Sequence, residues 1–329
     1  MSTLDAGLVT LLADTIRPLV RSEVRVIPGE AAVTLPVGVS KIGGMPDLPA
    51  DFVWPDFEGE RYVPDPPADF DDEGFREDEA DRAPPGRIRA PLAFLAQIDC
   101  RRASAFDGEN LLPKDGMLSF FYELNTMKSG FDPADRGCAR VYWFPDVSAL
   151  RRTPPPPETV WPDWMDRRPL PSVPVTFEAR ASVPCYDDFC ETEEEGRILP
   201  RFPAGRFWEY YDEAARSLGW EEESADADRS KLLGWPDILN NPMFIDCEAV
   251  ARGIGMTDES GMDRLTYEEK IALSRSARRD WTLLFQLGTV WDGDRSVYWG
   301  EAGHLFFWIR RKDLARRDFS RTWLIFQCG

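Results

Sequence analysis

Histidine, cysteine and clustered carboxylates are the side chains that most often do chemistry near neutral pH. This chain of 329 residues has one histidine, His304. A serine hydrolase, a Cys–His dyad or a histidine-rich zinc site would each have to be built on it. His304 follows Gly303 and opens the apolar run Leu305-Phe306-Phe307, so the plainer reading is a histidine packed at a strand start. The sharper reading groups it with Glu301 and one cysteine. Cys185 and Cys190 are set wider apart than a metal-binding CxxC pair, and no second pair accompanies them. Asp69-Phe70-Asp71-Asp72-Glu73-Gly74 begins like a calcium loop, but its fifth position is Glu73 and its twelfth is Ala80, which excludes an EF-hand. The chain has neither a GxxxxGK[ST] phosphate loop nor a GxGxxG fingerprint, and Gly38-Val39-Ser40-Lys41-Ile42 misses a nucleophile elbow at its last position. No catalytic residue, metal site or cofactor is assigned on these grounds.

Two glutamines are more suggestive. Gln97 and Gln286 each sit inside a short apolar run, Phe94-Leu95-Ala96-Gln97-Ile98 and Leu283-Leu284-Phe285-Gln286-Leu287. An amide in such a strand must find hydrogen bonds. It either ties down a neighbouring loop or lines a pocket. On the second reading Gln97, Asp99, Gln286, Glu301 and His304 form the candidate ligand site, between two halves of the chain.

Those halves come from the elements that must position the glutamines. Ser40-Lys41-Ile42-Gly43-Gly44-Met45-Pro46-Asp47 returns as Ser230-Lys231-Leu232-Leu233-Gly234-Trp235-Pro236-Asp237, and Gly116 to Phe121 returns as Gly303 to Trp308. Segments recurring in one order at a nearly fixed offset point to an internal duplication. Short strands are expected at Val24–Ile27, Ala32–Leu35, Leu92–Ile98, Met117–Leu124, Ala139–Phe144, Val173–Ala181, Trp281–Val290, Leu305–Arg310 and Arg321–Gln327, with turns at glycine. Helices are expected from a Ser2 or Thr3 cap to Pro18, over Arg206–Leu218, and over Tyr267–Arg279 behind the capping box Thr266-Tyr267-Glu268-Glu269. The fold class is α+β, β-rich and mainly antiparallel, with a few peripheral helices. The Pro154–Pro157 run marks the seam between residues 1–153 and 154–329, two halves packed as one unit.

Charge bounds the partners. Lys and Arg number 39 against 58 Asp and Glu, a net charge of −19. That balance disfavours nucleic acid and anionic membrane and favours a basic protein partner. Acids concentrate in Asp65–Arg82, which includes Asp71, Asp72, Glu73, Asp78 and Glu79, and again in Cys185–Glu195; both are expected to be loops. Trp161 and Trp164 lie in a polar context and suit a protein-binding anchor. The irregular cysteines, the acidic start of the chain and the lack of a long apolar run suggest a cytoplasmic protein.

The repeated Gly-Gly/Gly-Trp-Pro element, the Phe-Leu-Ala-Gln-Ile-Asp strand and Trp299-Gly300-Glu301-Ala302-Gly303-His304-Leu305-Phe306-Phe307 resemble the YwqG family (the DUF1963 domain). Asp313-Leu314 and Asp318-Phe319-Ser320 do so too, and the resemblance runs from about Ser40 to the C-terminus. It implies an intracellular bacterial protein of mixed α+β fold with internal duplication, and it carries over no catalytic residues. Some family members are associated with polymorphic-toxin gene neighbourhoods. The expected function is a non-enzymatic acidic protein-binding module that neutralises a basic partner, such as a toxin domain. The alternative is an enzyme or small-ligand protein with its site between the repeats.

Overall fold

The computed structural model describes residues 4–60, 86–220, 228–256, 261–293 and 295–329. The acidic stretch Asp65–Arg82 lies outside them. Ten strands form one antiparallel sheet: β1 (Arg21–Pro28), β2 (Lys41–Ile42), β3 (Ala93–Asp99), β4 (Met117–Tyr122), β5 (Ala139–Phe144), β6 (Val173–Ser182), β7 (Ser230–Leu233), β8 (Trp281–Leu287), β9 (His304–Arg310) and β10 (Trp323–Gln327). Their hydrogen-bonded order is β10-β9-β8-β7-β1-β6-β2-β3-β4-β5. The class is therefore mixed α+β with antiparallel pairing, as the short glycine-punctuated runs imply.

The centre of that order has a consequence for the whole chain. β1 lies between β6 and β7, with Val24 opposite Ala179 on one side and Leu232 on the other. β6 continues past β1 to β2, where Val173 faces Ile42. Each lysine-bearing strand thus pairs with a long strand from the other half of the chain.

β3 and β8 are apolar on both faces because both faces are covered. Each carries a register irregularity at a matching place, between Phe94 and Ala96 and between Leu283 and Phe285. Such a bulge bends a strand and tightens its twist, which helps a sheet curl. The two ends meet inside the curl, where Phe120 lies 4.6 Å from Phe285 and 5.2 Å from Phe307, ring centroid to centroid. The outer strands β5 and β10 approach each other, so the sheet is nearly closed and barrel-like. Ser129 and Gly130 help fill the gap. The Phe326 amide donates to the Ser129 carbonyl at 2.9 Å and the Trp323 indole to Gly130 at 2.8 Å. Gly130 has φ +83°, and a Cβ there would meet the Leu324 carbonyl oxygen at 1.8 Å, so no other residue fits.

Helices cover the sheet: α1 (Ala6–Ile16), α2 (Tyr186–Cys190), α3 (Glu193–Ile198), α4 (Phe207–Ser217), α5 (Phe244–Ala251) and α6 (Tyr267–Asp280). α1 and α4 share an apolar cluster that includes Leu12, Ile16, Tyr210 and Tyr211, while Phe244 and Cys247 of α5 pack with Trp281 and Trp308. The capping box at Thr266 and Glu269 is formed. Three expectations are corrected. The cap of α1 is Asp5, whose carboxylate accepts from Gly7 and Leu8. Ala32–Leu35 forms no strand; Val33 is fully exposed, and a strand with no face to bury gains no packing. Cys185–Glu195 is not a loop but α2 and the start of α3, because Cys185 and Thr192 cap them and Glu193, Glu194 and Glu195 favour the positive end of α3. Among the described residues no helix is long and apolar enough to cross a membrane.

Candidate functional site

The two recurring segments build the same hydrogen-bonded frame twice. β2 and β7 each present a serine and a lysine, or follow directly from the serine, and then turn through two left-handed residues. These are Gly43 and Gly44 (φ +64° and +68°) in the first frame, Leu233 and Gly234 (φ +61° and +74°) in the second. At Gly43 a Cβ would fall 2.1 Å from the Pro171 carbonyl oxygen. The turn returns the chain to an aspartate beside a glutamine of the adjoining strand. In the first frame the Asp47 amide donates to Gln97 Oε1 at 2.9 Å, and Gln97 Nε2 donates to Asp47 Oδ2 at 2.7 Å and to the Val39 carbonyl at 2.9 Å. In the second the Asp237 amide donates to Gln286 Oε1 at 2.9 Å, and Gln286 Nε2 donates to Asp237 Oδ2 at 2.7 Å and to the Arg229 carbonyl at 3.1 Å. The serines match as well: Ser40 Oγ accepts from the Asp99 amide at 2.8 Å, and Ser230 Oγ from Gly288 at 3.1 Å. A glutamine amide used at both ends satisfies a loop that would otherwise bury unpaired groups.

Around this common frame the two copies differ. Asp47 is wholly buried, and Arg152 seals it, donating from Nε to Oδ1 at 2.6 Å. Lys41 Nζ lies 3.8 Å from that carboxylate and donates instead to the Met45 carbonyl. Burial pushes the Lys41 ammonium down to about 8, against the pull of Asp47.

The second copy is open. Lys231 bridges two carboxylates, 2.8 Å from Asp237 Oδ1 and 3.2 Å from Glu23 Oε2, while Arg229 Nη1 reaches Asp237 at 3.0 Å and Arg25 pairs with Glu23 at 2.9 Å. The Asp237 side chain keeps 27% of its exposure and opens on a cavity of about 240 Å³. Arg25, Arg180, Arg229, Trp220 and His304 also line that cavity, which lies over β1, β6 and β7. Burial pushes the Asp237 carboxyl up, but Lys231, Arg229 and the Gln286 amide outweigh it and hold the group at about 2. Asp237 is therefore a fixed anion at neutral pH and cannot serve as a general acid. The Cys185 thiol, also in the wall, is pushed well up by burial and by Asp188, so it stays protonated and is a poor nucleophile. Charged side chains of both signs thus line the recess, and Arg180 pairs at its edge with Glu178 at 2.8 Å.

Of the ligand-site candidates, Gln286 and His304 belong here: His304 is in the wall, and Gln286 holds Asp237 from behind. Gln97 is in the sealed frame. Asp99 caps the short helix Cys100–Ala103 and lines a separate concavity with Asp115 and Asp146. Glu301 is exposed on the turn before β9. β2 and β7 are three strand spacings apart, about 14 Å, so the two frames are not one site. Glu23, Arg25, Arg180, Arg229, Lys231, Asp237 and Trp220 were not expected there. The signal available was the repeat itself, which keeps a lysine and an aspartate in both copies. Among the partner-binding candidates, Trp161 is half-buried against the core and Trp164 is 41% exposed. Asp71, Asp72, Glu73, Asp78 and Glu79 lie outside the described residues.

Because the Asp237 carboxyl is lowered on folding, its contribution is fully present above about pH 4 and is lost as the pH falls through about 2. Asp237→Asn is expected to destabilise at pH 7, and the gap from wild type should narrow by about 2 kcal/mol between pH 4 and pH 2. Urea denaturation across that window measures it; a gap that stays constant contradicts the assigned ion pairs. Among curated proteins none matches this chain. The sequence profile of DUF1963, a domain of unknown function, matches residues 40–328, and the chain belongs to that family.

Proposed function

We propose that the protein binds a small anionic molecule in the Asp237–His304 cavity, as a binding protein rather than a catalyst. The observation that carries this reading is the contrast between the frames. One aspartate–glutamine–lysine frame is sealed by Arg152, while the other faces a recess lined by Arg25, Arg180 and Arg229. The lining carries four cations, Arg25, Arg180, Arg229 and Lys231, against the carboxylates of Glu23 and Asp237, a local surplus of positive charge in a chain of net charge −19, and guanidinium groups match carboxylate geometry. We also propose that residues 1–153 and 154–329 are duplicated halves that exchange β1 and β6. The matched frames, the matched bulges and a strand order that reads alike from either end support it.

The test is thermal denaturation against a panel of small mono-, di- and tricarboxylates at matched ionic strength. At least one should raise Tm, and Arg229→Gln should abolish that rise. No rise across the panel, or a rise that survives Arg229→Gln, contradicts the reading.

A second reading is that of an acidic module for a basic protein partner. It is favoured by the net charge and by exposed aromatics on one region, Trp164 (41%), Trp291 (46%) and Tyr298 (43%), with Trp291 and Tyr298 in edge contact at 6.2 Å. The Glu191–Glu195 acids do not favour it, since Glu191, Glu193 and Glu194 pair internally with Arg278, Arg275 and Arg197. Replacing Asp71, Asp72, Glu73, Asp78 and Glu79 by their amides should slow association with a basic protein at low salt. An unchanged association rate counts against it.

A further inference from the structure

A second anion site lies away from the Asp237 cavity. Arg21 opens β1, and its guanidinium carbon sits over Trp235, 3.7 Å from the ring centroid. It also lies 5.7 Å from the Phe244 ring, and Arg278 of α6 lies 5.3 Å from the same ring. Two cations therefore converge on one aromatic side chain. Each keeps a buried nitrogen with no hydrogen-bond partner, Nη1 of Arg21 and Nε of Arg278. Arg278 is otherwise engaged by the Asp188 carbonyl and by Glu191. Asp188 contributes charge nearby, yet its Oδ1 is also buried and unpaired. Both arginines line a groove of about 710 Å³ with Ser22, Arg275 and Arg279. Of the groove's four acids, Glu191, Glu193 and Glu194 are taken up by Arg278, Arg275 and Arg197, and Glu109 accepts from the Ser22 amide.

A buried guanidinium without a hydrogen-bonded anion is costly, and Arg21 is in that state, while Arg278 beside it keeps one unpaired nitrogen. We infer that this groove binds a phosphate-class oxyanion, held by Arg21 and Arg278. The contact with Trp235 holds the Arg21 guanidinium in place, and a guanidinium can donate two parallel bonds to a tetrahedral oxyanion. Burial, together with the positive charge of Arg311 and Arg278, lowers Arg21 to about 9 against the opposing pull of Asp188 and Glu109. The inference does not depend on the proposed carboxylate pocket, which uses other residues.

Isothermal titration calorimetry with inorganic phosphate and with glycerol 3-phosphate, at ionic strength matched by potassium chloride, tests it. The expected result is saturable binding of at least one probe. Tighter binding of the ester would place a phosphoryl group of a small organic molecule in the groove; equal or tighter binding of inorganic phosphate would place the free ion there. Arg21→Gln should weaken it by about tenfold or more, and Arg21→Lys, which keeps the charge without the fork, should weaken it as well. Arg229→Gln should leave it unchanged, which separates this groove from the Asp237 cavity. If Arg21→Gln does not fold, Arg278→Gln takes its place with the same expected loss. No saturable binding to the wild type, or binding that survives both arginine substitutions, overturns the inference.

Discussion

The structure depends on a buried amide that has to be paired. Gln97 and Gln286 stand between apolar neighbours in their strands, and neither can reach water. Each finds its partners in one place, the returning loop that ends in Asp47 or Asp237. That loop can return only through two left-handed residues, and its aspartate can be buried only beside a cation. Glutamine, left-handed turn, aspartate and lysine thus form one mutually required set. Removing any member leaves a buried donor or charge uncompensated.

Using this set twice also shapes the sheet. Because β1 joins β7 and β6 joins β2, each frame rests on a long strand supplied by the other half of the chain. Glu23 on β1 is the clearest result: it completes the ion network of Lys231, more than 200 residues along the chain. In the first frame Arg152 arrives from a short ladder against Asp47 and Leu48 and fills the space over the aspartate. In the second the cation is Arg229, from beside the strand itself, and the space over Asp237 is left for a cavity. One frame is framework alone, and the other backs a recess.

Much of this was legible locally. The repeated Ser-Lys and Gly-x-Pro-Asp spacing marked the frames, apolar runs marked β3 and β8, and Thr266 with Glu269 marked α6. The glutamines were recognised as needing partners, and the loop-tying reading of them is what the hydrogen bonds record. Other features were not legible, for physical reasons. The pairing of β1 with β7 and of β6 with β2 is non-local, and alternation within a strand says nothing of its neighbour. Arg152, Glu23 and Arg25 join the frames through tertiary contact from segments outside the repeat. Thr192-x-x-Glu195 carried a helix-start signal, but the density of acid there suggested a loop. Once formed, α2 and α3 place Glu191 and Glu193 against Arg278 and Arg275, so charge that looked available is spent internally.

The most direct measurement is the unfolding free energy of Gln97→Leu and Gln286→Leu, each beside wild type at pH 7. The account predicts that both lose about 2 kcal/mol or more. Gln97→Leu should lose the more, because Asp47 is wholly buried while Asp237 retains contact with the cavity. Either variant matching wild type would contradict the claim that these two amides hold the fold's paired frames.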